Sequence, residues 1–195
     1  MKVLIACEFS GVVRDAWIAR GHDALSCDLL PTESPGPHYQ GDVRDILGQP
    51  WDLMIAHPSC QYLTNSGVRW LYKDGVKANG KDPLRWAEMS AARAFFEALH
   101  GADHIRKICV ENPVPHGHAN LPPFTQSIQP WQFGHGEVKR TCLWLRGLPK
   151  LVPTDIVDGR HARVHLASPG PDRWKERSIT LPGIAAAMAD QWGSL

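Results

Sequence analysis

The sequence has no long apolar run. No stretch of its 195 residues approaches the ~18–20 consecutive apolar side chains of a membrane-spanning helix. Its N-terminus shows no basic segment followed by an apolar run and a cleavage site, so the chain is expected in the cytoplasm. Cysteine is sparse and odd in number. Of the five, Cys7, Cys27 and Cys109 end or lie within apolar runs, as buried free thiols do, and no disulfide framework is expected. GxGxxG is missing, which argues against a pyrophosphate cradle. CxxC and HExxH are missing too, so the pairs His116/His118 and His161/His165 carry no metal expectation despite plausible ligand spacing. His116 and His118 sit in the Pro/Gly stretch VPHGHANLPP and read as exposed turn residues. No internal repeat or low-complexity tract is present.

What remains is a chain of 43% hydrophobic and 21% charged residues, enough to bury a sizeable core within one compact domain. Its net charge of +1 hides a segregation. Residues 1–58 hold four basic and eight acidic side chains, a balance of −4. Residues 59–81 set Arg69, Lys73, Lys77 and Lys81 against Asp74, giving +3, and residues 136–177 set nine basic against five acidic, giving +4. Two basic stretches on an acidic chain suit a partner with phosphates, or equally a solvated surface.

Residues 2–7 (KVLIAC), 23–28, 51–56 (WDLMIA), 106–110 (RKICV) and 141–145 (TCLWL) read as strands. A helix is predicted over residues 11–20, capped by Gly21. A second opens at Asp82-Pro83 and runs to about Leu99, with Trp86, Met89, Phe96 and Leu99 at helical spacing, and a third covers residues 182–192 before Gly193. Strand, turn, helix and strand within the first 28 residues open a doubly wound α/β sheet, Rossmann-like, with helices on both faces. Residues 61–81, 112–132 and 154–178 are loop-like, and loops of such length are uncommon unless functional.

In such a sheet ligands bind beyond the carboxyl ends of the strands. Four polar sets are predicted there: Glu8-Phe9-Ser10-Gly11, Asp28, His57-Pro58-Ser59-Cys60 and Glu111-Asn112-Pro113. A glycine at the first turn lets backbone approach a ligand, and an acid ending the second strand can accept hydrogen bonds from ribose hydroxyls. With one glycine, CEFSGVV fits an adenosine cofactor without phosphates, although Gly11 reads equally as an ordinary tight turn. Cys60, behind the stiffening Pro58, is a candidate nucleophile if a cation lowers its pKa. Glu111 lies at the matching strand end on the run ICVEN, whose apolar residues are expected to desolvate it and raise its pKa toward use as a proton donor. A thiolate and a protonated carboxyl are what addition to C6 of a pyrimidine requires, the acid relieving charge at N3.

In this order the motifs resemble those of the DNA cytosine-5 methyltransferases, especially their short phage-borne members. EFSG is similar to the motif that wraps the methionine part of S-adenosylmethionine; Asp28, beside Leu29, resembles the ribose acid; and Asp42 and Val43 of GDVRDI resemble the adenine-facing motif. WDLMIAHPSCQ resembles the strand and nucleophile loop, with His57 and Pro58 beside the cofactor. CVENP resembles the motif supplying the N3 acid with its Asn112, and RSITLPGIAAAMADQWG the closing helix. FGHGEVKRTCLWL is similar to the basic motif, normally two arginines in alternation; only one of Lys139 and Arg140 can face the substrate from a strand, and Arg140 is the expected one. Ser59 stands where the family has proline, and about thirty residues, 151–180, stand where it has a large target-recognition region.

The resemblance implies an enzyme that flips a cytosine from DNA, adds Cys60 to C6 and moves a methyl group from S-adenosylmethionine to C5, helped by Glu111, Asn112 and Arg140. Arg69, Lys73, Lys77 and Lys139 would contact DNA phosphates, and methylation against restriction in a bacterial or phage-infected cell would be its use. An amino-methyltransferase acting on adenine N6 or cytosine N4 is the alternative enzyme, although HPSC lacks the aromatic that those enzymes carry at its end. A cofactor- or DNA-binding module without catalysis is the third reading, motivated by Ser59 and the short recognition region. Oligomeric state is not legible.

Overall fold

The computed structural model describes residues 1–166, 170 and 173–195. Its strands are β1 (Lys2–Ala6), β2 (Asp23–Asp28), β3 (His38–Gln40), β4 (Leu53–Ala56), β5 (Lys107–Pro113), β6 (Gln126–Ile128) and β7 (Thr141–Arg146). The helices are α1 (Val12–Ile18), α2 (Arg44–Leu47), α3 (Pro83–His100), α4 (Arg163–Leu166), α5 (Arg173–Ser178) and α6 (Pro182–Trp192).

The strands form one sheet in the order β3-β2-β1-β4-β5-β7-β6. Its first five are parallel, whereas β7 runs antiparallel to both β5 and β6. Central parallel strands are covered on both faces, which is why β4 (LMIA) is apolar and buried at every position. Alternation divides the core. Leu4, Ala6, Met54 and Ala56 pack with Met89, Phe96 and Leu99 of α3 on one face. Val3, Ile5, Leu53 and Ile55 pack with Val13 and Trp17 of α1 and Ile184, Met188 and Trp192 of α6 on the other. Helices therefore cover both faces of a doubly wound, Rossmann-like α/β sheet. Each of these large side chains contributes about 1.5–3 kcal/mol through burial, and Phe96 adds an edge contact with Trp144 at 5.0 Å.

Asp82 caps α3 by accepting from the Arg85 N–H at 3.0 Å, as its sequence predicts. The short β3 and β6 were not foreseen, because three residues carry no readable alternation. The three loop-like segments also hold structure. The first contains the 3-10 turns Val68–Leu71, Lys73–Gly75 and Lys77–Asn79, the second contains β6, and the third α4 and α5. Among the described residues no helix is long and apolar enough to cross a membrane.

The sheet sends the carboxyl ends of β1 to β5 to one edge. Strand order reverses between β1, flanked by β2, and β4, flanked by β5, and the chain leaving β1 and β4 at that switch point is where a doubly wound sheet opens a crevice.

Candidate active site

Chain leaves β1 sharply: Cys7 has a φ of 58°, and the Glu8 N–H donates to the Cys27 carbonyl at 3.0 Å. The buried Glu8 carboxylate then accepts from the Val13 N–H at 2.7 Å and the Ser10 hydroxyl at 3.1 Å, holding the first turn of α1. Gly11 precedes that helix with a φ of 78°, a conformation that favours glycine. A Cβ there would also lie 2.5 Å from the guanidinium of Arg14. Arg14 is fully buried and donates to Ser26, Thr32 and the Ser34 carbonyl, so it gathers the loop that follows β2 around itself.

Asp28 ends β2 as predicted; one carboxylate oxygen accepts from the Leu30 N–H at 2.9 Å, and among the described residues the other makes no hydrogen bond. Neighbouring Leu29 is exposed and Val43 buried. Arg44 occupies both oxygens of Asp42 and holds that carboxyl down to about 2. Phe9 is buried, with its ring 6.2 Å from Trp174 of α5 and the Lys175 ammonium 5.9 Å from its centroid. Thus α5, which the sequence left as loop, packs against the motif after β1.

The β4 and β5 ends carry the reactive groups. Their register, Ala56 opposite Val110, brings His57 beside Glu111. His57 Nδ1 donates to Glu111 Oε2 at 2.7 Å, and the two side chains are 9% and 10% exposed. Asn112 Nδ2 donates to the Pro58 carbonyl at 2.8 Å. Beyond Pro58, the Cys60 carbonyl accepts from the Thr64 hydroxyl at 3.0 Å and closes a turn. The far side of that turn is tied by the Leu63 carbonyl to the His116 N–H and by the Tyr62 carbonyl to His116 Nε2, both at 3.0 Å. Contrary to the exposed turn expected of it, His116 is buried, and its Nδ1 accepts from the Ala119 N–H, so both ring nitrogens are used. The Cys60 loop is held at both ends by the chain that carries Glu111.

Two electrostatic features differ from expectation. Burial does push the Glu111 carboxyl up, but the hydrogen bond and charge of His57 together with Lys139 outweigh it, and the net direction is down. At rest Glu111 is an ionised acceptor. Burial and the Glu111 charge push the Cys60 thiol up, only partly offset by Arg177 and Lys139.

Of the two adjacent cations it is therefore Lys139 whose charge reaches both Glu111 and Cys60, while its Nζ donates to the Ile179 carbonyl at 3.0 Å. Arg140 is exposed, with its guanidinium 5.9 Å over the Phe124 ring. Arg69, Lys73 and Lys77 lie exposed on the 3-10 turns, where Arg69 stacks on Trp70 at 4.6 Å; among the described residues no hydrogen bond or ion pair joins them to the strand ends. Arg177 and the His57–Glu111 pairing went unread in the sequence. A histidine leaving one strand opposite a glutamate on the next was the available signal for the pairing, whereas nothing marked Arg177. Among the described residues two buried polar atoms here have no partner, His57 Nε2 and Asn112 Oδ1. Among the described residues no group of three or more His, Cys, Asp or Glu could hold a metal, and His165 lies in α4.

No family model matches the sequence, and no curated protein matches it. Among solved structures the chain is similar to an Escherichia coli prophage protein assigned as a DNA modification methyltransferase (14% identity, TM-score 0.49, 86% of this chain and 55% of that one). It is also similar to a DNMT2 mutant of Spodoptera frugiperda (16%, TM-score 0.44, 87% and 60%). A third similar structure is the methyltransferase EhMeth of Entamoeba histolytica (13%, TM-score 0.46, 80% and 57%). The chain spans 55–60% of the length of these solved chains.

Proposed function

We propose that this chain is an S-adenosylmethionine-dependent DNA methyltransferase that transfers a methyl group to C5 of cytosine through a covalent Cys60 adduct. One observation carries the reading: a cysteine loop after β4 is fastened at both ends to the chain bearing a buried glutamate after β5, with a lysine charge reaching both side chains. Nucleophilic addition to a pyrimidine needs those three groups. Cys60 would bond to C6, Glu111 would hold the N3 and exocyclic amine edge, and Lys139 would balance the charge that develops.

S-adenosylmethionine, when bound, supplies the methyl group. The residues present fit an adenosine group in part. The free oxygen of Asp28 suits a ribose hydroxyl, and Phe9 offers an aromatic wall. Glu8 spends its carboxylate on α1, and Asp42 is closed by Arg44, so adenine recognition there requires Arg44 to swing away. Basic residues 59–81 and the cations of 136–177 would meet DNA phosphates.

Mass analysis of nucleosides from DNA of cells expressing the wild type and Cys60→Ser tests this. A 5-methylcytosine peak lost in C60S supports the reading. Methylation undiminished in C60S would refute the covalent mechanism, and an N4-methylcytosine or N6-methyladenine peak would favour the amino-methyltransferase.

A further inference from the structure

The cytosine-5 reaction, on which the role given to His57 below rests, needs a thiolate at Cys60 and a proton available at Glu111. At rest the structure holds the reverse, a thiol whose ionisation burial disfavours and a carboxylate kept ionised by His57 and Lys139. A proton must leave sulfur and another must reach N3. One group, hydrogen-bonded to Glu111 and three residues before Cys60 in the chain, has the chemistry for both.

His57 leaves β4 three residues before Cys60. Its Nδ1 donates to Glu111 Oε2 over 2.7 Å. Because a carboxylate only accepts, that bond places a ring hydrogen on Nδ1, and in the neutral imidazole Nε2 then holds the lone pair. Nε2 is buried and has no hydrogen-bonding partner, and buried polar atoms left unpaired are rare enough to invite a functional explanation. An imidazole oriented through one nitrogen by a carboxylate, with the other free, is the arrangement of a general base beside a nucleophile. Glu111 from β5, Lys139 from the stretch before β7 and Arg177 from α5 are the charged groups acting on this pair or on Cys60.

We infer that His57 is a catalytic residue that passes the Cys60 proton toward the pyrimidine through Glu111. As the bond between Sγ and C6 forms, the S–H bond breaks and its proton moves to Nε2. The Nδ1 hydrogen passes to the Glu111 carboxylate, and as the C5–C6 π electrons shift through the ring toward N3 that proton moves on from Glu111 to N3. One proton leaves sulfur, one arrives at N3, the carboxylate is restored and His57 ends in its other neutral tautomer. On release the C5 hydrogen leaves to solvent as a proton, its electron pair restores the C5–C6 double bond as the C6–S bond breaks, and the N3 proton returns through Glu111 and His57 to sulfur. Nε2 makes no hydrogen bond to sulfur in this structure, so the proton crosses after rotation of the Cys60 side chain or through one water.

His57→Asn separates this role from a structural one, since its amide N–H replaces Nδ1 toward Glu111 while no atom replaces Nε2. Iodoacetamide labelling of Cys60, resolved by mass spectrometry of its peptide from about pH 6 to about pH 9, should run roughly tenfold slower in H57N near neutrality and climb with pH across that range, as a thiol without a base beside it does. Methyl transfer to DNA should lose about 100-fold in kcat with KM little changed, and recover as pH rises. In His57→Ala, added imidazole should restore part of both rates, a rescue that a packing defect would not show; this arm stands even if H57N folds poorly. Labelling and turnover in H57N within about threefold of wild type, with unchanged pH dependence, would overturn the inference. Should the wild type methylate no DNA, the cytosine-5 reading fails instead, and the labelling comparison still decides whether His57 governs the Cys60 proton.

Discussion

Asn112 Nδ2 donates to the Pro58 carbonyl at 2.8 Å and so fastens the Cys60 loop to the strand that carries Glu111. Asn112 is 2% exposed, so neither partner can turn to water when the other is removed. Asn112→Ala should cost about 1–3 kcal/mol in urea unfolding. Asn112→Asp should cost more, because a carboxylate cannot donate to Pro58 and adds a second buried negative charge beside Glu111. If N112D is as stable as wild type at neutral pH, the bond does not hold the loop.

Glu111 also makes stability depend on pH. Its folded-state pKa lies below the ordinary value of 4.5, since the His57 hydrogen bond and the His57 and Lys139 charges outweigh burial. The ionised carboxylate therefore stabilises the fold fully above pH 4.5 and loses that contribution as pH falls through the lower folded-state value. Glu111→Gln should remove this dependence. The stability gap between wild type and E111Q, followed by denaturant titration, should be flat above that range and close on further acidification; a gap that widens in acid would reverse the assigned direction.

Lys139 and Arg140 should separate in their effects. Lys139 acts on Glu111 and Cys60 through its charge, whereas Arg140 is exposed over Phe124. Loss of a partly buried charge interaction worth about 1.4–2.7 kcal/mol corresponds to about 10- to 100-fold in rate. Lys139→Met should slow methyl transfer by that much and also slow Cys60 labelling. Arg140→Met should change labelling little. Equal effects of the two substitutions would show that the charge field, rather than this lysine, matters.

The sequence announced the sheet because five of its seven strands are apolar and bounded by turn residues, and α3 and α6 because Pro, Asp82 and regular spacing mark them. It placed Cys60 and Glu111 on neighbouring strand ends, which follows from strand order and hand alone. What stayed hidden depends on side chains meeting across elements. Arg14 looks like a helix-surface charge until loop 29–37 closes over it. The protonation state of Glu111 turns on His57, 54 residues away. Burial alone predicted one direction, and a partner that only the register Ala56–Val110 supplies reversed it.

The seat of α6 offers a test through steric contact alone. Gly183 enters that helix beneath the stretch that carries Lys139, and its N–H donates to His135 Nε2 at 2.9 Å. A Cβ at Gly183 would come within 1.9 Å of the Phe133 carbonyl oxygen, a backbone atom that cannot rotate aside. Either α6 lifts or residues 133–135 move, and both disturb the packing of Ile184 and Met188 against the sheet. Gly183→Ala should therefore destabilise by about 2 kcal/mol or more. Gly117→Ala is the control, because a Cβ there meets nothing within 4 Å, and it should fall within about 0.5 kcal/mol of wild type. Thermal unfolding of the two variants decides it. Should G183A melt with wild type, α6 does not sit on the Phe133 carbonyl as the structure has it.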